Sequence, residues 1–440
     1  MKAVSYPAYG VVPVLVDVPA PECPAGGVLV RVMATGVCRS DWHAWRGHDP
    51  VPLPMVPGHE FAGVVAAVGS GVGRWRVGDR VTVPFACGCG ECEVCRAGDT
   101  HVCPSQTQPG FTGWGSFAEV VAVHAADANV VRLPDSVGFV EAAALGCRFA
   151  TAYRAVVGVG RLAAGEWLAV HGCGGVGLSA VQIGVALGAR VVALDVSAAA
   201  REAALALGAE VALDPAAPGG SAARSGAAHG SGESRASEGS GVAHASEGSG
   251  AAHGSGESCG SDGFGRSRAS DDSDASRGPD ESDASRGPDE SGASCESDGS
   301  GAEVVAAAVV VATAGGAHLS IDAYGSVATM RASVLGLRPR GRHVQVGLLL
   351  GDAAEVGVPM GRVIGWELEV LGSHGMPSRD YPGMLDLVAA GRLEPGLLVG
   401  RVVGLAQAGD ALAAMGAGDA GAMCDAGAAG MTVVEVAQEV

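Results

Sequence analysis

Lysine is almost missing from this chain. Lys2 is the only one, and arginine supplies the rest of the 28 cations. Against 47 acidic residues this leaves a net charge of −19 at pH 7, which argues against binding nucleic acid or an anionic membrane through bulk charge. The bias towards arginine reads as codon usage, not as function. Long hydrophobic runs are absent too: none reaches the roughly 18 residues a membrane helix needs. The apolar stretch from Leu162 to Val196 is broken by Glu166, His171, Arg190 and several glycines. Met1 to Val12 shows no charged-then-apolar signal segment. Twelve cysteines in 440 residues are too sparse for a disulfide scaffold. The expected setting is therefore soluble, reducing and cytoplasmic, and a hydrophobic content of 48% suffices for a proper core. The length suggests two or three domains.

One segment stands apart. Of the 87 residues from Ala216 to Ala302, 56 are Gly, Ser or Ala, and Val242 and Phe264 are the only large apolar side chains. Such a stretch cannot bury enough apolar surface to offset its ordering entropy. It also repeats itself: SDASRGPDE occupies Ser273–Glu281 and again Ser282–Glu290. A long disordered insertion at 216–302, dispensable for chemistry, is expected. Its histidines (His229, His244, His253) offer weak metal binding as an alternative to a plain solvated linker. The flanks join sensibly, with a short strand over Glu210–Asp214 and an apolar helix over Glu303–Ala312.

The first 150 residues carry short alternating runs, and Val28–Met33, Gly63–Val68 and Arg80–Val83 read as strands of a β-rich domain. Beyond Thr151 strands alternate with helices: strand Trp167–Val170, helix Leu178–Leu187, strand Val191–Leu194, helix Arg201–Leu207. That alternation predicts a parallel sheet with helices on both faces. His343–Leu348 and Leu368–Leu371 are expected as its later strands.

Three patterns carry chemistry. Cys89, Cys92, Cys95 and Cys103 are spaced to wrap a tetrahedral zinc in a closed, structural site. Disulfides and an iron–sulfur cluster are the alternatives. Gly172-Cys173-Gly174-Gly175-Val176-Gly177 follows a predicted strand and opens a predicted helix. Gly172 permits the tight turn, Gly174 the approach of a pyrophosphate, and Gly177 close helix–strand packing. The free N–H groups of the helix N-terminus then face the phosphates. Asp195 ends the next strand, where a carboxylate bonds the ribose hydroxyls and favours NAD over NADP. Finally, Cys38, His59 and Cys147 form a Cys2His set of the kind that holds catalytic zinc with an open fourth position. Spacing alone does not establish that set, since isolated cysteines are more often buried apolar residues. Its coexistence with a dinucleotide motif favours it.

The chain resembles the zinc-containing alcohol dehydrogenases of the medium-chain dehydrogenase/reductase family. The resemblance lies in CRSDWHAWRG (Cys38–Gly47), PGHEFAGVV (Pro57–Val65), the four-cysteine run, GCRFATAY (Gly146–Tyr153) and HGCGGVGLSAVQIG (His171–Gly184). It spans essentially all the chain outside the insertion. It implies an α/β architecture with a chaperonin-10-like, β-rich catalytic domain (1–150) bearing the structural zinc lobe. A Rossmann, doubly wound NAD-binding domain (151–373) would follow, and then a C-terminal return to the catalytic domain (374–440) that includes Leu397–Val403 and Met431–Val436.

The resemblance also implies roles. Cys38, His59 and Cys147 would hold the catalytic zinc, giving two zincs per chain. Ser40 and His43 would form a proton relay, Asp41 would orient His59, and Glu60 would assist ligand exchange at the metal. Arg39 would meet the cofactor pyrophosphate, alongside Gly172, Gly174, Gly175, Val176, Gly177 and Asp195. Trp45 and Phe85 would wall the substrate pocket, with Trp114 either a third wall or core. The implied reaction is reversible oxidation of a small alcohol by NAD in a dimer or tetramer. A non-enzymatic zinc and nucleotide binder and an aldehyde reductase working in reverse are the rivals. The insertion is foreign to the family.

Overall fold

The sequence WLAVH at 167–171 has every side chain buried. Trp167 and Ala169 face one apolar cluster with Val192, Leu194, Val211 and Leu213. Leu168 and Val170 face another, with Val191, Ala193, Leu319 and Ile321. A strand covered on both faces reads as an unbroken apolar run, the mark of a parallel sheet between helices. Burying each Leu or Ile here contributes about 1.5–3 kcal/mol.

The computed structural model describes residues 1–217, 222–224, 300–349, 351–355, 357–415 and 430–437. The expected insertion at 216–302 falls almost wholly outside them. Strands β1 (Lys2–Ser5) and β2 (Val14–Asp17) pair as an antiparallel hairpin. Strands β3 (Val28–Gly36), β4 (Glu60–Val68), β5 (Arg80–Thr82), β6 (Val120–Val123) and β7 (Val131–Arg132) pair antiparallel around β3 and β4. A second sheet contains β8 (Trp167–His171), β9 (Arg190–Leu194), β10 (Val211–Leu213), β11 (Ala222–Arg224), β12 (Ala317–Asp322), β13 (Leu337–Gln345) and β14 (Glu369–Gly372). Its order is β11-β10-β9-β8-β12-β13-β14, parallel throughout except for the antiparallel β10–β11 pair. Finally, β15 (Val399–Gly404) and β16 (Met431–Glu435) return to the first sheet, where β16 pairs antiparallel with β3. A GroES-like β-rich unit thus accompanies a Rossmann-type dinucleotide sheet.

Most expected elements fall within a few residues of their observed bounds. Strand β13 is an exception, since it covers Leu337–Gln345 where His343–Leu348 was expected. Its first half, LRPRG, is largely polar and exposed, so it lacks the apolar signal. Its expected end leaves the sheet because Val346 and Gly347 both donate to the Asp322 carbonyl, at 3.0 and 2.8 Å. A helical run from Phe139 to Val159 was also not foreseen; two of its turns, Leu145–Phe149 and Arg154–Val159, are π-helical. Such π turns are favoured at functional sites, and this one bears Cys147.

Candidate metal and cofactor sites

Cys38 caps the helix Arg39–Trp45, and its backbone N–H donates to Asp41 Oδ2 at 3.0 Å. The other Asp41 oxygen accepts from Gly58 N–H at 3.0 Å and from His59 Nδ1 at 2.9 Å. His59 precedes β4, and Cys147 comes from the π turn. Tyr381 holds that turn by donating its hydroxyl to the Gly146 carbonyl at 3.2 Å. A metal-binding atom from each of Cys38, His59, Glu60 and Cys147 lies within 4.8 Å of the others.

The donor set fits a cation. With Nδ1 bonded to Asp41, His59 presents Nε2, a buried atom with no nitrogen or oxygen partner among the described residues, and the ring interacts with the Cys38 sulfur. The hydrogen bond between the two sulfurs holds Cys38 well below the usual thiol range and pushes Cys147 well above it. The pair thus shares a proton that a metal would displace. Glu60 is fully buried, yet its carboxylate is taken by Arg148, whose Nε and Nη2 donate to it at 3.1 and 3.0 Å. Burial raises the Glu60 pKa, against the pull of Arg148.

Ser40 and His43 are three apart on the same helix, hence neighbours on one face, and both are half-buried. Phe85 stands edge-on to His59 with ring centroids 6.1 Å apart. Trp45 requires a correction. It is buried among Tyr6, Val51, Met55 and Phe117, and its indole N–H donates to the Val11 carbonyl at 2.6 Å. Helical spacing turns it into the core, and the aromatic ring beside His43 belongs to Trp42. Trp114 is 38% exposed and bonds the Pro54 carbonyl.

Two site residues escaped the sequence reading. Phe111 lies 5.2 Å from the His59 ring and falls outside every motif quoted above. Arg148 directly follows Cys147, a charged residue in an apolar run, and that oddity was the available signal. A cavity of about 640 Å³ opens nearby, lined by His101, Arg154, Leu348, Ser373 and His374 among others. The His374 ring lies 5.2 Å from that of Phe85.

In the four-cysteine lobe, Cys89 Sγ lies 3.9 Å from Cys95 Sγ, and Cys92 Sγ lies 3.7 Å from Cys103 Sγ. A disulfide would need about 2 Å. Four thiolates about 2.3 Å from one zinc form a tetrahedron with edges of about 3.8 Å, which is the spacing found. Backbone N–H groups of Cys92, Cys95 and Ser105 point at these sulfurs at 3.3–3.4 Å. Backbone donors, first that of Glu91, bring Cys89 down to about 6, whereas burial pushes Cys95 up to about 12.

The glycine-rich loop joins β8 to the helix Gly175–Ala186. Gly172 takes φ +89, a left-handed turn that suits glycine. A Cβ on Gly177 would run into the Gly172 carbonyl, whereas Gly174 faces open space. No side chain caps this helix, so its first N–H groups are presented to the cleft. Asp195 is buried, and its carboxylate accepts from Cys173 N–H at 2.7 Å and Ser197 N–H at 2.8 Å. Arg39 donates to the Met415 carbonyl at 2.9 Å and lies over the Trp42 ring.

Comparison with known proteins agrees with this geometry. Residues 24–135 match the alcohol dehydrogenase GroES-like domain, and residues 290–390 match the zinc-binding dehydrogenase domain. An alcohol dehydrogenase of Geobacillus stearothermophilus is 42% identical over 202 residues, 45% of this chain and 59% of that protein. One from Schizosaccharomyces pombe is 40% identical over 202 residues, 45% of this chain and 57% of that protein. The chain therefore matches less than two thirds of the length of these relatives. The solved structure of an alcohol dehydrogenase from Thermus sp. ATN1 superposes with a TM-score of 0.72 at 23% identity, covering 99% of this chain and 100% of that one. At that identity the likeness speaks for the fold. The chain thus carries an alcohol dehydrogenase GroES-like domain and a zinc-binding dehydrogenase domain, and over nearly half its length it is similar to curated alcohol dehydrogenases.

Proposed function

We propose that the chain is an NAD-dependent zinc alcohol dehydrogenase that reversibly oxidises a small alcohol, a primary one to an aldehyde or a secondary one to a ketone. The observation that carries this reading is that metal-binding atoms of Cys38, His59 and Cys147 lie within 4.8 Å of one another, with His59 fully buried. Cys38, His59 and Cys147 would hold a catalytic zinc, and Cys89, Cys92, Cys95 and Cys103 a structural one. When bound, the catalytic zinc supplies Lewis-acid polarisation of the substrate oxygen and the nicotinamide supplies a hydride acceptor.

The chain's own residues do the rest. Asp41 fixes the tautomer of His59 so that Nε2 offers its lone pair. Phe85 and Phe111 exclude water from the side of the site next to that ring. Ser40 takes the alcohol proton and His43 receives it in turn, while Glu60, tied to Arg148, keeps a carboxylate beside the ligands. Gly174 and the open helix N-terminus would receive the pyrophosphate with Arg39, and Asp195 would bind the ribose.

In this reading the catalytic unit covers 1–150 and 374–440, the cofactor unit covers 151–373, and the protein works in the cytoplasm as a dimer or tetramer. Among the described residues no helix is long and apolar enough to cross a membrane. Metal analysis together with NAD reduction by ethanol and benzyl alcohol tests the proposal. Two zincs per chain and NADH formation are expected, and Cys38→Ser should abolish turnover while NAD still binds. One zinc and no NADH would favour a non-enzymatic zinc and nucleotide binder.

A further inference from the structure

The helix Arg39–Trp45 ends in a turn that folds His48 back over His43. Gly47 takes φ +78. Its N–H donates to the Ala44 carbonyl at 3.0 Å, and the His48 N–H donates to the His43 carbonyl at 2.9 Å. These two bonds make a Schellman cap, in which the residue after the glycine comes back against the last helical turn. Here the residues brought together are both histidines. Nδ1 of His43 lies 3.1 Å from Nδ1 of His48, with ring centroids 5.3 Å apart. Trp42 stands edge-on to both rings, at 5.1 and 5.4 Å. His43 is half-buried, whereas His48 is exposed.

We propose that His48 is the proton exit of the relay, taking the proton from Nδ1 of His43 and releasing it to water. This inference rests on the alcohol dehydrogenase reading above. Two imidazole nitrogens at this separation bond only when one carries the proton and the other offers its lone pair. Each oxidation frees one proton from the alcohol. His43 accepts it at Nε2 and donates its Nδ1 proton to Nδ1 of His48, which returns His43 to neutrality. The His48 imidazolium then loses its Nε2 proton to water. One proton has left the alcohol and one has entered solvent, and exchange with water resets both tautomers.

The surroundings favour outward movement. The charged and titratable groups facing His43 are His48, Arg39, Cys38 and Asp49. Burial first, then His48 and Arg39, hold His43 below the ordinary histidine value, so a proton does not rest there. Without His48 the proton would leave a half-buried ring directly, beneath the edge of Trp42.

The test compares His48→Gln with the full-length protein, zinc-loaded and supplied with NAD. In a single turnover, proton release read by a pH indicator should slow about tenfold, the low end of general acid–base effects. Added imidazole should restore it, with KM for NAD unchanged. Gly47→Ala, which strains the turn, should reproduce the loss. NMR titration without substrate should show His43 moving up towards its ordinary value in His48→Gln. Unchanged proton release, or a His43 titration indifferent to His48→Gln, would overturn the proposal. If the wild type oxidises no alcohol, the enzymatic reading fails separately, and the NMR titration still decides whether the two rings are coupled.

Discussion

Asp41 accepts three hydrogen bonds at full burial, from Cys38 N–H, Gly58 N–H and His59 Nδ1. One carboxylate thereby fixes the capping turn at Cys38, the loop before His59 and the tautomer of His59 itself. Asp41→Asn keeps the shape but sets an NH2 group against those donors. Metal affinity at the Cys38, His59 and Cys147 site should fall by about 10–100-fold, measured against a chelating dye. The four-cysteine site should be unaffected, and an equal loss at both would mean general unfolding. Asp195 carries a double load of the same kind. Its carboxylate holds Cys173 N–H at 2.7 Å, and under the proposed function it also meets the cofactor ribose. Asp195→Ala should therefore weaken NAD binding and also raise the relative use of NADP. An unchanged ratio of kcat/KM for the two cofactors would reject the ribose role.

At the scale of elements, the glycine-rich loop works because backbone approaches backbone. A Cβ at 177 would meet the Gly172 carbonyl and press on Val170. Gly177→Ala should push the helix Gly175–Ala186 away from β8 and raise the Kd for NAD by tenfold or more, on the order of 1.4 kcal/mol. Binding as tight as wild type, by fluorescence titration, would show that the helix shifts at no cost. The helix of residues 139–159 shows the limit of reading elements from sequence. Its apolar run is visible, but the π register at Leu145–Phe149 is not. That register sets Arg148 against Glu60 and the loop glycine Gly175, and so ties the metal site to the cofactor loop. Trp45 failed for a related reason: the order HAW lies on the page, while which face of the helix turns inward depends on Tyr6, Val51 and Met55, all far off in sequence.

For the whole molecule, burial of imidazoles sets a pH dependence. Burial, reinforced by His343, lowers His171 to about 3, and burial lowers His343 to about 4. Both are neutral in the folded protein and titrate near 6.5 when unfolded. As pH falls below about 6.5 the unfolded chain binds the protons first, so stability declines at about 1.4 kcal/mol per pH unit for each histidine. The decline ends only when pH reaches the folded values, and above 6.5 neither group contributes. Denaturant melts of His171→Asn should show a shallower loss between pH 6.5 and 4.5 than wild type. Parallel curves would show that His171 does not remain neutral in the fold.

The sequence by itself determined the strand–glycine–helix grammar and the four-cysteine lobe, which are local spacings whose chemistry needs particular residue types in a particular order. Cys38, His59, Cys147 and Asp41 were legible only through the family resemblance. Tertiary structure alone decided what comes across the chain to meet them. It set Phe111 against His59, paired Arg148 with Glu60, and sent Trp45 into the core. The physical reason is the same in each case: a ligand type is a property of one side chain, whereas burial and hydrogen-bond partnership belong to contacts between segments that only packing brings together.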